Sequence, residues 1–309
     1  ESGFREYMNQ LDTPLETGYL LRIGIDHFKE INDNFGQEYG DFVLKKTAEC
    51  ISGCTSEGQK VYKLVADEFL ILDVASDEAK DADKLYDKVR EAIDRFIETN
   101  EFKVMYTVSG GIVPFAALKG NQCSEALKLT DFALNEAKKL GRNRCYIFNG
   151  ETYRKFLRKR EITQELREAV INGFQGFTAF YQPVFAEDKK VPYGAEALMR
   201  FTSEKFGMIS PAEETGLIIP AGRWMMKEAM GKCSEIRKIL SGFRMSINIS
   251  QVQASKSDVI QDISAEMKRT GLPLEAVIVE LTESDLLEQN INEKHFLTEL
   301  RRMGISLAL

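Results

Sequence analysis

Three strand-like segments of this chain each carry an oxygen-bearing side chain where an apolar strand would ordinarily carry none. Val277-Ile278-Val279-Glu280-Leu281 is a nearly continuous apolar run. A carboxylate inside such a run is costly unless it is paired or bound to a metal. In residues 243–250 (FRMSINIS), Met245, Ile247 and Ile249 share one face and Ser246, Asn248 and Ser250 the other. That polar face must line a site or a solvated interior. In residues 194–201 (GAEALMRF), Glu196, Leu198 and Arg200 share a face. At about 3.3 Å per residue, Glu196 and Arg200 lie roughly 13 Å apart along the strand. An acid at one end and a guanidinium at the other suit a ligand with a metal-bound phosphate and a second anionic group. Glu196, Asn248 and Glu280 are hard oxygen ligands, which fit Mg²⁺ or Mn²⁺ better than zinc. A buried polar network that ties the strands together is the other reading of the same three residues.

The elements that must position these groups follow from hydrophobic periodicity. Residues 19–25 read as a buried strand, 41–51 as a helix, and 61–64 with 69–74 as a hairpin around Val65-Ala66-Asp67-Glu68. A helix over 83–98, an alternating strand over 103–109, a helix over 125–140 ending at Gly141 and a strand over 144–148 complete a first unit ordered β-α-β-β-α-β-α-β. A charged stretch over 150–172 reads as a connecting helix. Beyond it, strand-like runs at 177–185, 191–201, 243–250, 277–284 and 306–309 alternate with helical stretches at 223–240, 257–270 and 291–303. That alternation predicts a parallel sheet or (β/α) barrel, whose active residues gather at the C-terminal ends of the strands.

Composition narrows the class. The chain has 309 residues, a formal charge of −7 and a pI near 5.3. An acidic balance without a basic stripe argues against a nucleic-acid binder, while a local positive pocket for a small anion remains compatible with it. No apolar run is long enough to span a bilayer, and no secretory leader is visible at the start. Five scattered cysteines, an odd number, disfavour a disulfide framework and fit reduced thiols in a cytoplasmic protein.

The motifs around the three oxygen ligands resemble those of a known family. Glu196-Ala197-Leu198, followed by Met199-Arg200, resembles the signature of EAL domains, which hydrolyse cyclic di-GMP. Tyr181-Gln182-Pro183, Ser246-Ile247-Asn248-Ile249-Ser250 and Glu280-Leu281-Thr282-Glu283-Ser284 are similar to three further strands of that family, in the same order. The first half resembles the GGDEF family. Ile25-Asp26-His27-Phe28-Lys29, Ile31-Asn32-Asp33, Gly40-Asp41, Val65-Ala66-Asp67-Glu68-Phe69 and Ala137-Lys138 with Gly141-Arg142-Asn143-Arg144 carry that resemblance. It departs at Gly24, where active cyclases place a metal-binding Asp, and at Val65 and Ala66, which replace the two hairpin glycines. A β-branched valine resists the positive φ and close nucleotide approach that glycine permits.

The resemblance implies a GGDEF-like α/β sandwich over 1–149, a linker helix over 150–172 and, over 173–309, the front part of an EAL-type TIM-like (β/α) barrel. It implies a phosphodiesterase that opens cyclic di-GMP to linear pGpG with Mg²⁺ or Mn²⁺. In this scheme Glu196, Asn248 and Glu280 hold metal. Glu196, Glu280 and Glu283 are the catalytic carboxylates, with Glu283 steadying the loop after its strand. Gln182, Leu198 and Arg200 contact the substrate. About six residues of the family pattern are missing near Pro211–Glu214, and the family's later Asp pair and Lys would fall beyond Leu309, so residues 1–309 alone are expected to be inactive. Two readings stay open for the first domain, which is not expected to be an active cyclase. One is a retained nucleotide pocket for GTP at Asn32, Asp41 and Asp67 with phosphate contacts from Lys138 and Arg142. The other is a structural or dimerising module. A homodimer, and membrane attachment only through segments outside this chain, are further implications. A cyclic di-GMP receptor or scaffold that binds without turnover is the alternative to the enzyme.

Overall fold

The computed structural model describes residues 1–11, 15, 17–76, 79–99, 104–120, 122–187, 190–210, 217–281 and 291–308. Its chain divides into two compact units, Glu1–Phe156 and Leu157–Leu309.

The first unit contains α1 (Ser2–Asn9), β1 (Tyr19–Ile25), α2 (Phe28–Phe35), α3 (Gln37–Cys54), β2 (Gln59–Lys63), β3 (Glu68–Asp73), α4 (Ala79–Thr99), β4 (Val108–Pro114), α5 (Cys123–Lys139) and β5 (Cys145–Ile147). Its five strands are ordered β2-β3-β1-β4-β5. All neighbouring pairs are antiparallel except β4 with β5. The two-residue period of a strand sends Leu21, Ile23 and Ile25 to one face, against Val43, Val89 and Ile93 of the helices there. Leu20 faces the other side, with Leu129 and Ala133 of α5.

The predicted strand over 103–109 lies further along the chain. The paired strand starts at Val108 and runs through Gly110 and Gly111, which a sequence reading takes as an end. The glycines are there because of packing. A Cβ at Gly111 would collide with the backbone of α5 at Ala133 and Leu134, so only glycine lets that helix lie so close. The helix expected over 41–51 is longer, as α3, and a second helix, α2, precedes it, the two divided at Gly36 with φ 84°.

In the second unit, α6 (Gly150–Ile171, which begins in the first unit) is followed by β6 (Phe177–Val184), β7 (Gly194–Ser203), β8 (Gly207–Ile209), α7 (Ile218–Arg237), β9 (Arg244–Asn248), α8 (Gln251–Lys256), α9 (Val259–Thr270), β10 (Val277–Glu280), α10 (Ile291–Met303) and β11 (Ser306–Ala308). The sheet order is β11-β10-β9-β7-β6, with β8 pairing on β7. Four strands, β7, β9, β10 and β11, run parallel, as the strand–helix alternation predicts. The first strand departs from that expectation: β6 is antiparallel to β7, because the described residues between them form no helix to carry the chain back. One face of the parallel strands is sealed. Ala195, Ala197, Met245, Ile247, Val277 and Val279 pack into a single core with Met225, Met226 and Ala229 of α7 and Ile263 of α9. Alternation therefore turns Glu196, Asn248 and Glu280 to the face away from those helices.

Candidate functional site

Strand register sets the geometry of that open face. Gln182 on β6 is paired with Glu196 on β7, and Glu196 with Ser246 on β9. One row further on, Asn248 is paired with Glu280 on β10. Gln182, Glu196, Asn248 and Glu280 thus occupy neighbouring positions on consecutive strands. Asn248 Nδ2 donates to Glu196 Oε1 at 2.7 Å. Backbone bonding continues past the ladder, with Ile249 N donating to Glu280 O at 3.0 Å. Asn248 and Gln182 are exposed, and Glu196 and Glu280 are half-buried.

A cavity of about 200 Å³ opens beside this row. Leu198, Arg200, Asn248, Ser250 and Gln253 are among the residues lining it. It brings the predicted ligand contacts Leu198 and Arg200 together with Asn248. Glu196 joins them through its bond to Asn248. Arg200 is half-buried, and its Nη1 donates to Met199 O at 2.8 Å. Glu283 lies outside the described residues. On the sealed face of β6, burial pushes the Tyr181 phenol up, and its hydroxyl donates to Glu228 O.

The donor set fits a hard divalent cation in part. Two carboxylates and one amide oxygen end three adjacent strands, and a half-turn of the Asn248 amide exchanges its nitrogen for its oxygen. Three donors leave positions for water and for ligand phosphate. Among the described residues, no group of three or more His, Cys, Asp and Glu side chains forms a metal cluster.

Sequence reasoning missed Gln253. It is 3% exposed, and its Oε1 accepts from Ser250 N and Ser250 Oγ, both at 3.2 Å. Its own backbone N donates to Ser250 Oγ, so the pair forms a capping box that starts α8 two residues after Asn248. Gly222 of α7 lies against it, and any Cβ there would meet the Gln253 carboxamide. The Ser-x-x-Gln spacing before a helix was the available signal.

In the first unit, half-buried Asn32 packs its Oδ1 against Gly40, at the joint of α2 and α3, with Asp41 exposed beside it. Asp67 is half-buried in the hairpin turn. Ala66 takes the left-handed φ of 55° there, while Val65 is left 69% exposed. The turn thus keeps a glycine-like shape without glycine, at a cost of about 1–2 kcal/mol. Lys63 Nζ donates to the Ala66 carbonyl, and burial pulls that ammonium's pKa down, opposed by Asp67 and Glu68. Arg142 is exposed with φ 61°. Asp26 is 2% exposed and accepts from Thr107 Oγ1, Ser109 Oγ and Asn143 N. Lys138 reaches Gly24 on β1.

Two α/β units, the second with a helix-backed parallel sheet and a row of oxygen ligands at its strand ends, define a two-module α/β protein. The matches to known families agree. Residues 2–144 match the diguanylate cyclase GGDEF domain and residues 163–309 the EAL domain. The chain is a tandem GGDEF–EAL protein. It is 27% identical over 300 residues to the bifunctional diguanylate cyclase/cyclic di-GMP phosphodiesterase MucR of Pseudomonas aeruginosa, covering 94% of this chain and 43% of MucR. It is 27% identical over 302 residues to the cyclic di-GMP phosphodiesterase NbdA of the same organism, covering 94% of this chain and 37% of NbdA. The chain thus spans less than half the length of these relatives. Among solved structures, the S helix-GGDEF-EAL portion of Vibrio cholerae LapD, bound to c-di-GMP, aligns over 99% of this chain and 72% of its own, with 18% identity and a TM-score of 0.44. No described helix is long and apolar enough to cross a membrane.

Proposed function

We propose that the second domain binds cyclic di-GMP and hydrolyses it to linear pGpG, and that the first is a regulatory GGDEF module without cyclase activity. The observation that carries the proposal is the row of Gln182, Glu196, Asn248 and Glu280 on consecutive strands, with Glu196, Asn248 and Glu280 alternating with the residues that pack on α7 and α9. A bound Mg²⁺ or Mn²⁺ would lower the pKa of a water and stabilise charge at phosphorus. Glu196, Glu280 and Asn248 would hold it. Arg200, which lines the 200 Å³ cavity, supplies a guanidinium for a phosphate. Leu198 offers an apolar contact to the ligand, and Gln182 an amide at the row's edge. Glu283 is assigned to steadying the loop after β10. Asn32, Asp41, Asp67, Lys138 and Arg142 are assigned to a nucleotide pocket in the first domain, with GTP as its ligand. The protein is read as a cytoplasmic homodimer.

One observation favours a second reading, a receptor without turnover. Glu196 is already engaged by the Asn248 amide. Calorimetry of cyclic di-GMP on the native-length protein, with and without Mn²⁺, separates the readings when run beside a pGpG assay. Binding with turnover supports the enzyme; binding with no pGpG supports the receptor. An Arg200→Ala protein that binds as tightly as its parent would remove Arg200 from the ligand site.

A further inference from the structure

The corner of the first domain where the resemblance puts a divalent metal does not fit one. Gly24 stands at the position of the ligating carboxylate and offers no donor. A Cβ built at Gly24 would lie 3.2 Å from Lys138 Nζ and 3.1 Å from Leu134 Cδ2, so the space beside β1 is filled by an ammonium and a leucine methyl. The neighbouring carboxylate is engaged as well. Glu68, paired with Gly24 across β1 and β3, accepts from both Nε and Nη2 of Arg22, a two-nitrogen contact. Its other oxygen, Oε1, is 4.0 Å from Lys138 Nζ. Arg22 is held in turn by Leu127 O at 3.2 Å and Asp131 at 3.3 Å.

We infer that Lys138 and Arg22 supply the positive charge of this corner in place of the divalent metal and exclude it. The physical reason is charge. A guanidinium bonded to Glu68 and an ammonium 4.0 Å from it already offset its charge, and with a dication placed among them Glu68 and Asp131 would have to answer three cations. Where the family's active members carry an aspartate, this chain carries Gly24, which leaves the Lys138 ammonium without a carboxylate at that position. Gly24→Asp would give that lysine a partner instead of rebuilding a metal site. This inference rests on reading the first domain as no cyclase, and it supplies the cause.

The test uses the 309-residue chain carrying Glu196→Ala and Glu280→Ala, so that Mn²⁺ at the second domain is not read. Gly24→Asp and Gly24→Asn have the same shape and differ in charge, so their difference in first-domain melting temperature isolates the ion pair. With Lys138 present, Asp is expected to melt about 2–4 °C above Asn, the shift of roughly 1 kcal/mol in a domain of this size. With Lys138→Met, the advantage disappears or reverses. Adding Mn²⁺ is expected to leave the melting of the Gly24 and Gly24→Asp chains unchanged. An Asp–Asn difference that is absent, or that survives Lys138→Met, overturns the inference. So does a rise in first-domain melting with Mn²⁺. Formation of cyclic di-GMP from GTP is measured separately, and it sinks the no-cyclase reading rather than this comparison.

Discussion

Gly222 sits in the second turn of α7, where alanine would ordinarily add about 1 kcal/mol of stability. Here the sign is expected to reverse. The alanine Cβ would fall on the Gln253 carboxamide, 2.7 Å from Cδ and 3.0 Å from Oε1. The helix has little room to retreat, since Ala221 and Met225 on either side are buried. If Gln253 gives way, the backbone N and hydroxyl of buried Ser250 lose their acceptor. Each buried group left unsatisfied costs about 1–3 kcal/mol. If Gln253 stays, overpacking costs about 1–3 kcal/mol instead. After the propensity gain, Gly222→Ala should destabilise the second unit by up to about 2 kcal/mol if Gln253 stays and by about 1–5 kcal/mol if both Ser250 groups lose their acceptor. Trp224, the chain's single tryptophan, lies two residues from Gly222 in α7 and stacks on Phe174, so its fluorescence in a urea titration reads this unit. A slope of about 1–3 kcal/mol per molar converts the loss into a lower midpoint. Gln253→Ala should remove the clash, so that adding Gly222→Ala to it costs almost nothing further. A Gly222→Ala chain as stable as its parent, or more so, would refute the latch between α7 and the loop after Asn248.

Gly111→Ala should be among the most damaging single changes in the first unit, since its Cβ meets α5 backbone rather than a movable side-chain end; a drop of about 3 kcal/mol or more in urea titrations is expected, beyond the usual overpacking range. Asp73 tests pH linkage. Burial opposes its charge, but Ser76 Oγ, Gln59 Nε2 and the backbone N–H groups of Ala75 and Ser76 outweigh it and hold its pKa below the usual carboxylate value. A depressed carboxylate contributes stability above its unfolded pKa of about 3.9 and loses it as pH falls through the folded value. Asp73→Asn should therefore cost about 1.5–3 kcal/mol near neutrality, and the gap to the parent should close in acid below that window. An unchanged gap would discard the assignment. Burial raises the Cys233 thiol to about 11. At about pH 8, near the pKa of a free thiol, it should resist iodoacetamide in the native chain and react after unfolding, as mass spectrometry would read.

Much of the fold was legible because the strands advertise themselves. Alternation in 243–250 put Met245, Ile247 and Ile249 on one side, and those are the residues buried against α7 and α9. The same alternation placed Glu196, Asn248 and Glu280 together, and register then paired Asn248 with Glu280. Three features were not legible, each for a tertiary reason. Gly110 and Gly111 look like a strand end but form the strand interior, because a helix must approach there. Positive φ fell on Ala66, leaving Val65 free to project into solvent. Gln253 reads as an ordinary polar helix residue until Gly222, far away in sequence, is seen to make room for it. Lys138 was legible as a candidate contact, but its place beside Gly24 depends on the packing of α5 over β1.

The central claim is that Glu196 and Glu280 hold the metal with which cyclic di-GMP is opened. Its most direct test is the rate of pGpG formation by the native-length protein in Mn²⁺, compared with the same protein carrying Glu196→Ala. Loss of a metal ligand should cut the rate at least about 10²-fold, while cyclic di-GMP still binds through Arg200. Equal rates in the two proteins would contradict the assignment of the metal site.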